Sequence, residues 1–219
     1  MSPATAIVFV VDDDISVRES LELLILSGGW QPETFASAQQ FLGRPRAVVP
    51  SCLVLDVSLP GLNGLELQER IGVERSDMPI IFVTGHGNVP MTVRAMKAGA
   101  VEFLTKPFSE DALLNAIRLA LKRSESALVR ERELHVLREA YASVTPRERE
   151  VMRLVVSGLL NKQVGAELGI SEITVKAHRG SLMRKMKADS LPDLVHMAAR
   201  LGLPSGSRTK ARAATDTFV

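Results

Sequence analysis

Acids at positions 12, 13 and 56, a threonine at 84 and a lysine at 106 are the residues of this chain whose types suggest joint chemistry. Carboxylates crowded together repel one another and raise each other's pKa unless a cation compensates. Hard oxygen ligands that leave several waters in place are what Mg²⁺ prefers, so Asp12, Asp13 and Asp56 read as a cation site. A lysine ammonium and a threonine hydroxyl beside such a site suit phosphoryl transfer to a carboxylate, because cation and ammonium neutralise the charge spread over the phosphoryl oxygens. Asp56 is then the nucleophile, forming an aspartyl-phosphate, and Thr84 a donor to a phosphoryl oxygen. Each residue alone has a plainer reading. Asp56 would cap a turn, Thr84 would end a strand, and Lys106 would be solvated. No further group is suited to act as general base on a foreign substrate.

The elements around these residues give them a common address. Asp12 follows the apolar run Ala6 to Val11, Asp56 follows Cys52 to Leu55, Thr84 follows Pro79 to Val83, and Lys106 follows Phe103 and Leu104. Short continuous apolar runs fit strands buried on both faces of a parallel sheet. An open α/β sheet binds ligands just outside the carboxyl ends of its strands. A further short strand is expected around Glu33 to Phe35. Pro60-Gly61 and Asn63-Gly64 break the chain into a loop after Asp56, and Lys106-Pro107 makes a turn that fixes where the ammonium points. Helices are expected after Asp14, as cap, with Val17, Leu21, Leu24 and Ile25 as stripe. Others are expected over 37–43, over 65–75 with Leu65, Leu67 and Ile71 inward, and over 89–97 with Gly99 as stop. From Ser109 the helical pattern has no Gly or Pro until Pro146, so residues 123–142 read as a helical linker with Leu128, Leu134 and Leu137 as apolar contacts.

A chain of 219 residues is comfortable for two domains. It has no uninterrupted apolar segment near 20 residues and no signal-peptide pattern at its N-terminus, which predicts a cytoplasmic protein with no membrane partner. The single cysteine, Cys52, rules out an internal disulfide framework and reads as a small buried hydrophobe. Residues 1–122 carry 10 Lys/Arg against 14 Asp/Glu, whereas residues 144–219 carry 13 against 7. An acidic first part and a basic last part suggest that only the latter meets nucleic acid.

That last part opens on Thr145 to Glu148, a capping box with Pro146 at the first helical position. Val151, Leu154 and Val155 face inward and Gly158 stops the helix. A short helix from Lys162 to Leu168, a turn at Gly169-Ile170 and a third helix capped by Ser171 make a helix-turn-helix. Val175, Leu182 and Met186 are its buried side. Thr174, Lys176, Ala177, Gly180, Ser181 and Arg184 lie elsewhere on the wheel, open to the major groove, although only the N-terminal part of such a helix normally reaches base edges. Ser190 caps a fourth helix with Leu194, Val195, Met197 and Leu201 apolar. The tail 204–219, rich in Ser, Thr, Ala and Arg, reads as disordered.

The combination of DD at 12 and 13, DVSLPGLNG from 56, TGHG from 84 and KPF from 106 resembles the receiver domain of bacterial response regulators. Residues 145–186 resemble the DNA-binding domain of LuxR-type and FixJ-type regulators. Together they resemble a FixJ-type two-domain response regulator: receiver at 5–122, linker at 123–142 and DNA-binding domain at 143–203. The resemblance implies a flavodoxin-like sheet of five parallel strands in 2-1-3-4-5 order, followed by an all-α helix-turn-helix domain. It implies that Asp13, Asp56 and the Ser58 carbonyl bind Mg²⁺, with Asp12 helping through water, and that Thr84 and Phe103 form the switch. It further implies that Ser58 and His86 tune phosphate lifetime. It makes Lys176 and Ala177 base readers and Lys162, Thr174, His178 and Arg179 contacts to backbone or groove, while Gly180 stands where relatives often place a polar reader. Implied partners are a sensor histidine kinase, double-stranded DNA, a second copy when phosphorylated, and RNA polymerase. Two rivals stay open here. One is a Mg²⁺-dependent phosphohydrolase using an aspartyl-phosphate, which would want a second acid where residues 57–59 are Val, Ser and Leu. The other is a DNA-binding protein whose receiver works without phosphate.

Overall fold

The computed structural model describes residues 6–85 and 87–203, without the side chains of Val73 and Glu74. His86, expected to tune phosphate lifetime, and the tail 204–219, expected to be disordered, lie outside the described residues. The chain forms two compact units that divide between Arg130 and Glu131.

The first unit alternates strand and helix: β1 (Ile7–Val11), α1 (Ile15–Ser27), β2 (Gln31–Phe35), α2 (Ala38–Leu42), β3 (Ser51–Asp56), α3 (Gly64–Glu74), β4 (Ile80–Thr84), α4 (Val89–Lys97) and β5 (Glu102–Thr105), then the start of α5 (Glu110–Ala142). The strands are all parallel in the order β2-β1-β3-β4-β5. Side chains alternate across a strand, so the apolar runs feed two cores at once. Phe9, Val11, Leu53, Leu55 and Phe82 pack with Phe41 of α2 and Leu67 and Ile71 of α3. Val8, Val10, Cys52, Val54 and Ile81 pack with Leu21 and Ile25 of α1 and Leu113 and Ile117 of α5. Burying each large apolar side chain stabilises the sheet by about 1.5 to 3 kcal/mol. Cys52 is fully buried, and burial pushes its thiol pKa up, leaving an inert hydrophobe.

The second unit is helical. The end of α5 gives Leu134 and Leu137 to a core shared with α6 (Pro146–Val156), α8 (Glu172–Met186) and α9 (Leu191–Arg200). Val151, Val155, Val164 of α7 (Asn161–Leu168) and Val175 make a second cluster. Thr145 and Glu148 form the reciprocal capping box of α6. Gly169 ends α7 at φ 66°, left-handed backbone that glycine adopts without a Cβ penalty. Gly165 is required for another reason: a Cβ there would lie 2.7 Å from the Ile170 carbonyl oxygen, so a side chain would push the two helices of the turn apart. On α9, Val195 is exposed although apolar, and Leu194 and Ala198 form the buried side instead.

Candidate functional site

Register brings the acids together. β1 pairs with β3 so that Val11 stands opposite Leu55, which leaves Asp12 and Asp56 side by side where the strands end. Asp12 and Asp56 are buried and Asp13 is exposed. One carboxylate oxygen from each of the three lies within 4.8 Å of the others. The Lys106 ammonium reaches in from the far end of β5, 2.8 Å from Asp12 Oδ2 and 3.3 Å from Asp56 Oδ2. Burial opposes the charge on Lys106, but the hydrogen bond and charge of Asp12, followed by those of Asp56, outweigh it and hold the pKa above the ordinary lysine value.

The remaining oxygens are partly committed. The Ser58 N–H donates to Asp56 Oδ1 at 3.0 Å, and the Asp14 N–H donates to Asp12 Oδ1 at 2.9 Å. Asp14 also caps α1 by accepting from the Ser16 N–H, as the sequence suggests. Ser58 itself is exposed at the mouth. Three hard-oxygen acids around one lysine fit a divalent cation, since one ammonium leaves the cluster with excess negative charge.

Two supports of this site carry no obvious sequence signal. Arg18 Nη1 donates to the carbonyls of Asp12 and Asp13 at 2.8 and 2.9 Å, tying the acidic turn to α1. Gly64 must be glycine because a Cβ would lie 2.4 Å from the Asp56 carbonyl oxygen. Its N–H donates to the Val57 carbonyl at 3.1 Å, so the loop folds directly back on the strand end.

Thr84 is fully buried at the end of β4, paired in register with Thr105. The Lys106 N–H donates to the Thr84 carbonyl at 2.8 Å, which joins the lysine turn to the threonine strand. Phe103 is half-buried, its ring centroid 6.0 Å from that of Phe82. The loop after β4 presses on both: a Cβ on Gly87 would lie 3.0 Å from Phe103 Cε1 and 3.4 Å from Thr84 Cγ2.

The basic unit presents a different surface. Lys176 and Ala177 are exposed on the first half of α8, and Lys162 is exposed on α7. The ammonium of Lys176 is 3.0 Å from Glu172, one turn earlier. Thr174 is half-buried and hydrogen-bonds Ser171 side chain to side chain at 2.8 Å. His178 is half-buried, and Arg179 Nη1 donates to Asn161 Oδ1 at 3.2 Å. Ile173, which carries no polar cue in the sequence, is 80 % exposed in the first turn. Ser181, expected to be open to the groove, is half-buried on the side of α8 that faces Glu148. That acid is buried beneath α8, receiving Lys185 Nζ at 2.7 Å and the Thr145 N–H at 2.8 Å. Burial alone would raise its pKa; the donors Lys185, Ser181 and Thr145 override this and bring it down to about 2. Arg147 and Arg200 are engaged elsewhere, Arg147 with Glu150 and the Leu168 carbonyl and Arg200 with Glu133.

Residues 8–118 match the response regulator receiver domain, and residues 142–198 match the bacterial regulatory proteins of the luxR family. Nodulation protein W of Bradyrhizobium diazoefficiens is 51 % identical over 198 residues, covering 90 % of this chain and 87 % of that protein. Transcriptional regulatory protein FixJ of the same organism is 42 % identical over 196 residues, covering 90 % and 96 %. Among solved structures, the response regulator StyR aligns with a TM-score of 0.76 at 49 % identity, over 90 % of this chain and all of that one.

Proposed function

Because the chain belongs to the response regulators that join a receiver domain to a LuxR-family DNA-binding domain, we propose that phosphorylation of Asp56 by a sensor histidine kinase controls its binding to DNA. The observation that carries this reading is the Lys106 ammonium held between Asp12 and Asp56 at the carboxyl edge of the sheet. An Asp56 oxygen attacks the phosphorus of the kinase's phosphohistidine; the new P–O bond forms as the P–N bond breaks, and the histidine leaves carrying the released electron pair. Lys106 stays charged throughout and offsets the negative charge on the phosphoryl oxygens. The Ser58 N–H orients the carboxylate through Oδ1. Asp13, Asp56 and the Ser58 carbonyl would hold a Mg²⁺ ion, with Asp12 helping through water, and the ion would supply the further charge neutralisation that three clustered acids require.

The phosphoryl group then recruits the Thr84 hydroxyl, and the loop that packs against Thr84 and Phe103 carries the change to α4 and β5. Val93 and Met96 of α4 are exposed apolar residues, 44 % and 42 % accessible, that a second copy would cover. A dimer sets two α8 helices against paired half-sites, where Lys176 and Ala177 read bases and Lys162, Thr174, His178 and Arg179 fix the helix on the backbone. RNA polymerase is the further partner of the DNA-bound dimer, and the cytoplasm, where kinase output and DNA meet, is its site of action. The family is one of transcriptional regulators, not of enzymes with substrate turnover.

The test is acetyl phosphate with Mg²⁺, followed by peptide mass mapping. One phosphoryl group on the peptide carrying Asp56 supports the reading. Label on another residue, or steady hydrolysis of phosphomonoesters, contradicts it.

A further inference from the structure

At the opposite edge of the same sheet, where β4 and β5 begin, α3, the turn after α4 and the first part of α5 border a solvent-open cavity of about 660 Å³. That volume is typical of sites for small organic ligands. Its floor is apolar, including Ile71, Met78 and Leu119. Lys122, Arg123 and Arg130 stand around it on α5, and none of them has an ion-pair or hydrogen-bond partner for its side chain among the described residues. No Asp or Glu lines the cavity among the described residues.

Two details suit an occupant. Leu119 is a large apolar side chain left 46 % exposed on this wall. Gly72 lies inside α3, where glycine weakens a helix relative to alanine, and a Cβ there would meet nothing within 4 Å. Packing therefore does not require that glycine, which lines the cavity without a side chain of its own. The cavity wall also continues into the last turn of α4: Gln68, buried in the lining, donates from Nε2 to the Ala95 and Ala98 carbonyls at 3.2 and 3.3 Å.

We propose that this cavity binds a small organic anion, an apolar body carrying a carboxylate, sulfonate or phosphate group. The body lies over Ile71, Met78 and Leu119, and the anionic group meets Lys122, Arg123 and Arg130.

The probe is 8-anilinonaphthalene-1-sulfonate, titrated by fluorescence into the full-length protein beside N-phenyl-1-naphthylamine, which has the same rings without the sulfonate. The expected result is saturable binding of one sulfonate per chain, about tenfold or more tighter than the neutral amine. The charge reversal K122E/R123E/R130E changes exposed side chains only and should weaken sulfonate binding about tenfold or more. Gly72→Leu fills the cavity from a helical position and should abolish it. Both variants should still take label from acetyl phosphate, which shows that the receiver is folded. Equal binding of sulfonate and neutral amine, or sulfonate binding unchanged in both folded variants, would overturn the proposal, as would no saturable binding to the parent.

Discussion

The receiver's acidic edge and the face of α8 both concentrate charge, but they hold it in opposite ways. Asp12 and Asp56 are buried and share one ammonium, so their positions are set before any partner arrives. Lys176 and Lys162 are exposed, and the Lys176 pair with Glu172 spans one helical turn at the surface. Buried charges in fixed geometry stabilise a transition state without reorganising, which suits chemistry. Exposed charges on flexible stems gain little from surface pairs and are easily redirected to phosphates, which suits docking. The rigid charge of the second unit lies beneath α8 instead, in Glu148 and Lys185, where it fixes the helix on which the proposed readers stand.

The contrast can be broken at its strongest point first. Lys106→Ala should slow labelling of Asp56 by acetyl phosphate about 10²-fold or more, because Asp12 and Asp56 lose the ammonium they share. Removal of divalent cations by chelation should slow it comparably. A rate within a few fold of the parent would show that the preset charge is not what drives transfer.

Glu148 comes next. Its folded pKa near 2 lies below the ordinary 4.5, so its contribution to stability is full above about pH 4.5 and is lost as the pH falls towards 2. The shift is worth about 3 kcal/mol. Glu148→Gln should lower the amide exchange protection of α6 and α8 at neutral pH and flatten the acid dependence of that protection. An unchanged acid profile would remove Glu148 from the role.

Smaller effects should appear at the link between the two regions and at the reader. A hydrogen bond to a charged group is worth about 1.5 to 3 kcal/mol, so Thr84→Ala should weaken phosphorylation-dependent dimerisation about tenfold or more. Ultracentrifugation at matched phosphorylation measures this, and dimerisation equal to the parent's would show that the switch bypasses Thr84. Lys176→Ala should weaken specific DNA binding by about 1 kcal/mol, more than it weakens binding to random duplex. Equal losses on both, with a shallower salt slope, would make Lys176 a phosphate contact.

The sequence makes the receiver unusually legible because β1, β3 and β4 are short, fully buried runs and Asp12, Asp56 and Thr84 stand at their carboxyl ends. Strand order then follows from the family resemblance, and the convergence of Asp12, Asp56 and Lys106 from the shared carboxyl edge of a parallel sheet. Helix starts are legible for a local reason: Asp14, Thr145, Ser171 and Ser190 each accept from a nearby backbone N–H. The parts that escape depend on contacts between distant segments. Arg18 is one charge among many until its carbonyl partners are seen, and Gly64 is a loop breaker until its approach to the Asp56 carbonyl is measured. Ser181 sits on the groove side of an ideal wheel, yet it is half-buried in the folded unit. The Gly72 cavity leaves no trace in hydrophobic pattern, since an absent side chain gives no periodicity.

The central claim is that phosphate on Asp56 governs DNA binding, and it is tested most directly by measuring operator affinity of the parent and of Asp56→Asn, each with and without acetyl phosphate and Mg²⁺. The operator is first selected from random duplex by the phosphorylated parent. Phosphorylation should tighten binding of the parent about tenfold or more and leave Asp56→Asn unchanged at the unphosphorylated affinity. Tightening of Asp56→Asn by the same treatment, or a parent whose affinity does not move when fully phosphorylated, would contradict it.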